Sequence, residues 1–392
     1  MFNRREFLKR SSLLSLAPTV PAFLASTARA VESMQDDRIL VVIQLDGGND
    51  GINTVVPFMD EGYRKHRTRL QLPSSQLIKL NDAVGLHQSM GDFGKLWESD
   101  RLAIVQGVGY PNPNRSHNVS MAIWQTCSFD QEEHNTHGWL GRALDQTKRP
   151  QDGSPAALLI GNAQPPIAIR GRRSVAAAIN GIDEFTLPDA VSTTKSDPKT
   201  SSNDLTSFLQ RSSLDALATA ERLSEFAAKP DAGRSYPSNE LAKRLRLVSR
   251  LIKSGFGTRV FYAVQSGYDT HAAQLPTHSR LLRDLSRAVF AFLEDLRASK
   301  LDDRVAILCF SEFGRRVKEN ASLGTDHGTA GPVFLAGPDV KPGLHAKTPS
   351  LSDLSKGDLK MSVDFRQIYS SVLQNWLGIP PLAHEPLDLF DT

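Results

Sequence analysis

Asp46, Asp269, His271, Glu312, Asp326 and His327 are of the types that hold metal ions. Each stands just outside an apolar run of the chain. Imidazole with carboxylate is a mixed nitrogen and oxygen set, which suits zinc, manganese or iron better than all-oxygen calcium. Two such ions close together activate a nucleophile, clamp an anionic ester and stabilise its leaving oxygen. Ser116 is the candidate nucleophile, because a serine hydroxyl is weak until a metal or a base activates it. Arg115, Arg315 or Arg316 can pair with phosphate or sulfate oxygens.

Each residue also has a structural reading. Asp46 can open a turn with Gly47 and Gly48, and the Asp269-Thr270-His271 stretch can cap a helix. Glu312 can pair with Arg315 or Arg316 on a surface helix, and Ser116 can cap a helix beginning near Asn118. No single residue decides between the readings. Their joint placement at strand ends favours a site.

The elements that must position these residues are visible as apolar runs at Ile39–Leu45, Leu102–Gly107, Ala157–Ile160, Arg259–Val264, Val305–Phe310 and Val333–Ala336. Helical patterns lie between them at Leu205–Ala228, Asn239–Ser254, Thr277–Ala298 and Phe365–Trp376. Runs without alternation, separated by amphipathic helices, predict an α/β fold with a mainly parallel central sheet covered on both faces. In such sheets functional groups gather beyond the carboxyl ends of the strands. The polar stretch Ser192–Asn203 reads as a loop inside a helical and loop insertion around 185–255 of a single domain spanning 31–392. The Pro-rich C-terminal coil is expected to pack on the body.

Residues 1–30 read as a leader: a charged start, a short apolar middle broken by Pro18 and Pro21, and a small-residue site ending at Ala30. The Arg4-Arg5 pair followed by Glu6, Phe7, Leu8 and Lys9 looks like a twin-arginine export signal. Twin-arginine machinery as a partner, a periplasmic or secreted location and no stable membrane span after cleavage follow as expectations. The formal charge of +3 is concentrated in this leader, so the remainder is near neutral and argues against nucleic acid as a partner. Cys127 and Cys309 make no disulfide framework, and Cys309 reads as a buried thiol. His134 and His137 read as loop residues near a cleft rim. A redox cofactor is disfavoured, since the first strand is not followed by Gly-x-Gly-x-x-Gly and no cysteine cluster exists.

The stretches LDGGNDGINTVVP, LAIVQGVGYPNPNRSH, GWLGR, YDTHAAQ, FSEFGRRVKEN, GTDHGTAGPVFLAG and DLKMSVDFRQIY together resemble the bacterial family called domain of unknown function 1501. That family is itself similar to the alkaline phosphatase and sulfatase superfamily. The resemblance implies an alkaline-phosphatase-like three-layer sandwich and hydrolysis of phosphate or sulfate esters with one or two divalent ions (zinc, manganese or calcium). It implies Asp46, Asp269, His271, Glu312, Asp326 and His327 as ligands. Ser116 becomes the nucleophile, with Arg115 and His117 beside it; His117 is open as ligand, base or structural residue. Asn114 and Arg315 are expected at the substrate, a small anionic ester or an envelope polymer. The chain departs from the superfamily where an Asp-His pair is usual and Glu312-Phe313 stands; Asp326 or Asp50 is the expected replacement ligand. That departure keeps a second expectation open: a non-catalytic secreted member that binds an envelope polymer or a partner protein.

Overall fold

A computed structural model describes residues 37–148, 150–161, 164–174, 176–180 and 234–391. The expected leader, the helical pattern at Leu205–Ala228 and most of the expected insertion lie outside the described residues. Nine strands form one sheet: β1 (Ile39–Asp46), β2 (Leu102–Gly109), β3 (Ala157–Ile160), β4 (Ala176–Ile179), β5 (Val260–Ser266), β6 (Val305–Phe310), β7 (Gly331–Ala336), β8 (Gly343–His345) and β9 (Val363–Asp364). The order is β8-β2-β7-β6-β1-β5-β3-β4, with β9 also on β2. β1 lies between β5 and β6, parallel to both. Among the described strands of this sheet, only β7 runs antiparallel to its neighbours.

β1 shows why the chain builds a sheet covered twice. Ile39, Val41, Ile43 and Leu45 enter one core, while Leu40 and Val42 enter the other. A strand alternates its side chains, so a continuous Ile/Leu/Val run needs apolar neighbours on both faces. Each fully buried side chain of this size stabilises by roughly 1.5–3 kcal/mol. The first face is covered by α1 (Gly91–Glu98), α4 (Glu240–Lys253) and α5 (Gln274–Ala298). α5 presents Leu281, Leu285, Ala288, Val289, Phe292 and Leu296 at helical spacing, all buried. The second face is covered by α2 (His117–Thr126), α3 (Trp139–Leu144) and α6 (Phe365–Ser371). Trp124 of α2 stacks between Phe310 and Phe365, with ring centroids 5.1 and 4.4 Å away. This is the three-layer α/β sandwich expected from the sequence.

The Pro-rich tail packs on the body through Leu389 and Phe390, which are buried, and Phe390 stacks on Trp376. Cys127 and Cys309 are both free thiols. None of the helices among the described residues is long and apolar enough to cross a membrane.

Candidate metal centre

Reversal of β7 decides what meets at the site. The segments that follow β1, β2, β5 and β6 leave from one edge of the sheet. An antiparallel strand starts at that same edge, so the residues preceding β7 arrive there too. His327 therefore joins Asp46, His117, Asp269 and Glu312 from the opposite chain direction.

At the centre stands the Asp269 carboxylate. His327 Nε2 and His271 Nε2 each lie 3.0 Å from its Oδ1 and 2.9 Å from one another. His117 Nε2 lies 3.6 Å from Oδ2. His117, Asp269 and His327 offer ligand atoms all within 4.8 Å of one another. The far nitrogen of each imidazole faces an oxygen: His117 Nδ1 is 2.8 Å from Glu312 Oε1, His271 Nδ1 3.3 Å from Asp326 Oδ1, and His327 Nδ1 2.8 Å from the Arg115 carbonyl. A carbonyl or an ionised carboxylate only accepts, so each Nδ1 carries the proton and donates. With Nδ1 as the donor, the free face of each ring, Nε2, is turned toward Asp269 and offers a lone pair there when it carries no proton. His117 Nε2 is buried without a hydrogen-bond partner. Three lone pairs and a carboxylate repel one another at this range, and a single proton satisfies only one of the contacts. A cation satisfies them together. Atoms about 3 Å apart are what an ion gathers with bonds of roughly 2.0–2.2 Å, and the carboxylate or carbonyl behind each imidazole is the usual outer partner of a ligating histidine. The residues fit a divalent ion.

Local structure holds these groups in place. Gly47 and Gly48 have φ of 116° and 79°. A Cβ at Gly47 would stand 2.5 Å from the Asp269 backbone nitrogen, and one at Gly48 2.4 Å from the Phe313 ring. Only glycine fits where the β1 turn passes this closely under the site. The Gly47 N–H donates to Glu312 Oε1 at 3.0 Å. Ser120 of α2 donates to the Glu312 carbonyl at 2.5 Å, which fixes the start of α2, and so His117, against the exit of β6. Phe313, buried, packs its ring 5.0 Å from that of His117 and 4.8 Å from that of His327.

The other expected residues have different surroundings. Asp46 is outside the three-residue group, and its Oδ1 accepts from Gln44 at 3.2 Å. Glu312 and Asp326 stand behind histidines, as described. Glu312 is fully buried and lies on no surface helix. Asp50, an expected replacement ligand, is committed elsewhere: it is fully buried and paired with Arg67 at 2.5 Å. Arg315, expected at the substrate, is also fully buried. Its guanidinium donates to the carbonyls of Gly47, Gly48, Tyr268 and Thr325 and to Asp269 at 2.7 Å, so it clamps the site from beneath. Burial works against the Asp269 charge, but the Arg315 guanidinium, through its hydrogen bond and its charge, outweighs it and holds the carboxyl at about 2.

Ser116 is exposed at the N-cap of α2, and its side chain makes no capping bond. Asn114, also exposed, accepts from the Ser116 N–H at 2.8 Å through its side-chain oxygen. Arg115 pairs with the buried Asp358, which lies 3.3 Å from Arg316 on its other oxygen. Asp358 had no signal in the sequence, since a lone acid in a polar stretch names no partner. His134 is buried and bonded to the Ser128 carbonyl in its own loop, away from any cluster.

Residues 37–380 match the family model described as Protein of unknown function (DUF1501). The chain belongs to this family. No curated protein matches this DUF1501 chain in sequence. Its similar solved structures include the PsFucS1 sulfatase from Pseudoalteromonas sp., at 10% identity and TM-score 0.40, over 84% of this chain and 68% of that one. A 2-O GAG sulfatase is 11% identical with a TM-score of 0.38, over 89% and 72%. The lipoteichoic acid synthase LtaP from Listeria monocytogenes is 11% identical with a TM-score of 0.36, over 83% and 74%. The functional reading of the DUF1501 chain rests on its own site.

Proposed function

We propose that this chain is an exported, metal-dependent hydrolase of phosphate or sulfate esters. One observation carries the reading: three histidines, each with Nδ1 tied to an oxygen, turn Nε2 toward one carboxylate. His117, Asp269 and His327 hold the ion, with His271 beside them. A divalent ion here polarises an ester oxygen and acidifies water. Arg315 keeps Asp269 ionised and aimed, Phe313 closes one side against water, and Glu312, Asp326 and the Arg115 carbonyl fix the imidazole tautomers. Ser116, exposed one residue before His117, is the nucleophile to test.

The experiment is elemental analysis of the protein exported by its own host, followed by turnover of aryl phosphate and aryl sulfate with zinc, manganese and calcium. Close to one equivalent of transition metal is expected, lost in His117→Ala and His327→Ala. Full metal occupancy in both variants would falsify the ligand assignment. The non-catalytic reading draws on Arg115, Arg315 and Arg316, each already engaged by protein acceptors. Bound metal without turnover of any ester would favour it.

A further inference from the structure

Two clefts border the groups that stand behind His271 and His327, although none of His117, Asp269, His271 and His327 lines either one. One, of about 820 Å³, is lined by Lys65, Arg69, Arg316 and Lys318, and by Asp326, whose carboxylate stands behind His271. The other, of about 730 Å³, is lined by Arg115, Lys356 and Lys360, and by Asp358; the Arg115 carbonyl stands behind His327. Both carry more cations than acids, on a chain that is near neutral beyond its leader. The acids present are occupied, and so are Arg69, Arg115, Arg316 and Lys360, each paired with a carboxylate. Glu319, in the first cleft, accepts from Arg69, Thr68 and the Leu70 N–H, and Asp358 is held between Arg115 and Arg316. Lys65, Lys318 and Lys356 are exposed and make no ion pair among the described residues.

A two-stranded hairpin, Leu354–Ser355 with Asp358–Leu359, stands between the clefts. Leu354 and Gly357 line the first, while Ser355, Lys356 and Asp358 line the second. Its two-residue turn has φ of 53° at Lys356 and 85° at Gly357. Such turns favour asparagine at the first position, because a left-handed backbone is costly for a lysine. Here the strained position carries a charge to the divide between the clefts.

We infer that the two clefts form one track for a linear polymer bearing repeated sulfate or phosphate ester groups, seated so that an internal ester lies at the metal centre. Each cleft has the size of a full ligand site, so a small ester fills neither. Cationic walls on both sides attract charge flanking the ester, an attraction that salt weakens. The inference rests on the hydrolase reading for what happens at the centre.

The test measures binding of labelled dextran sulfate and labelled dextran phosphate to the protein as purified, with neutral dextran, inorganic sulfate and inorganic phosphate as comparisons. At least one polyanion is expected to bind 100-fold or more tighter than its inorganic anion, and the one that does names the ester. Lys65→Gln with Lys318→Gln alters one cleft, and Lys356→Asn with Lys360→Gln alters the other. Each pair is expected to weaken binding tenfold or more, with unchanged melting temperature and a shallower salt dependence. Asparagine suits the turn, so the second pair keeps its hairpin. Polyanions binding no tighter than inorganic anions, neutral dextran binding equally well, or the whole loss arising from one cleft would each overturn the track. Metal bound without polymer binding removes the track and leaves the hydrolase reading. Polymer bound by a protein without metal does the reverse.

Discussion

At the residue scale, the site is a problem of proton placement. Each imidazole is oriented by an oxygen that cannot donate, and the orienting groups come from three different segments. Weakening an orienting group should therefore loosen the metal while sparing the ligand itself. Glu312→Gln and Asp326→Asn are each expected to weaken metal affinity by about 10- to 100-fold. Asp46→Asn, outside the group, should cost less than either. Titration with a chromophoric chelator ranks the three, and a larger loss at Asp46 would restore the ligand set expected from the sequence. That set was legible in part. Residue type and strand-end position are enough to bring Asp269, His271 and His327 together. They do not say which acids turn toward the cluster of imidazole Nε2 atoms and which stand behind a histidine, because that depends on side-chain direction. Glu312 points inward because the N–H of Gly47, 265 residues away in the chain, donates to its Oε1, while Oγ of the adjacent Ser311 lies 3.0 Å from its other oxygen.

At the element scale, the turn after β1 couples fold to site. Gly47→Ala places a methyl against the Asp269 backbone in a left-handed conformation. A destabilisation of about 1–3 kcal/mol is expected, together with weaker metal binding, since Asp269 must shift. Thermal unfolding with and without added zinc reads both, because a ligand that binds only the folded state raises its melting temperature. An unchanged zinc-induced rise in Gly47→Ala would separate the turn from the site. The strands were legible because unbroken Ile/Leu/Val runs leave little other choice. Their ends were not: β7 begins at Gly331, two residues before the apolar run, and its pairing with β2 shifts around Pro332. Proline lacks the N–H for a regular ladder, which masks a strand in sequence. The loss of regular α-helix after Ser371, where a π-helical turn covers Val372–Trp376, had no signal in the apolar spacing.

At the scale of the whole molecule, a buried polar layer under the site makes stability depend on pH. His278 and His87 sit in it with ring centroids 5.9 Å apart. Burial is the main cause that lowers both, to about 3 and about 4, although the nearby Asp50 charge opposes it. Folded, both rings stay neutral; unfolded, each takes up a proton near 6.5. Between roughly pH 6.5 and 4 the unfolded chain therefore binds more protons, and acid favours it. Stability should be level above about pH 7 and fall on acidification by about 1.4 kcal/mol per pH unit for each histidine. Below about pH 4 the depressed carboxyls of Asp269 and Glu319, both at about 2, add to the loss as they protonate. His278→Gln removes one titrating group, so its stability should decline less steeply over the same range. Its side chain can still donate toward Asn49 Oδ1, which accepts from His278 Nε2 at 2.9 Å. Urea unfolding at half-unit steps from pH 7.5 to 4.5 measures both slopes. Equal slopes in the two proteins, or a flat profile in the native chain, would mean that these rings are charged in the folded state and that the layer beneath the metal centre tolerates the charge.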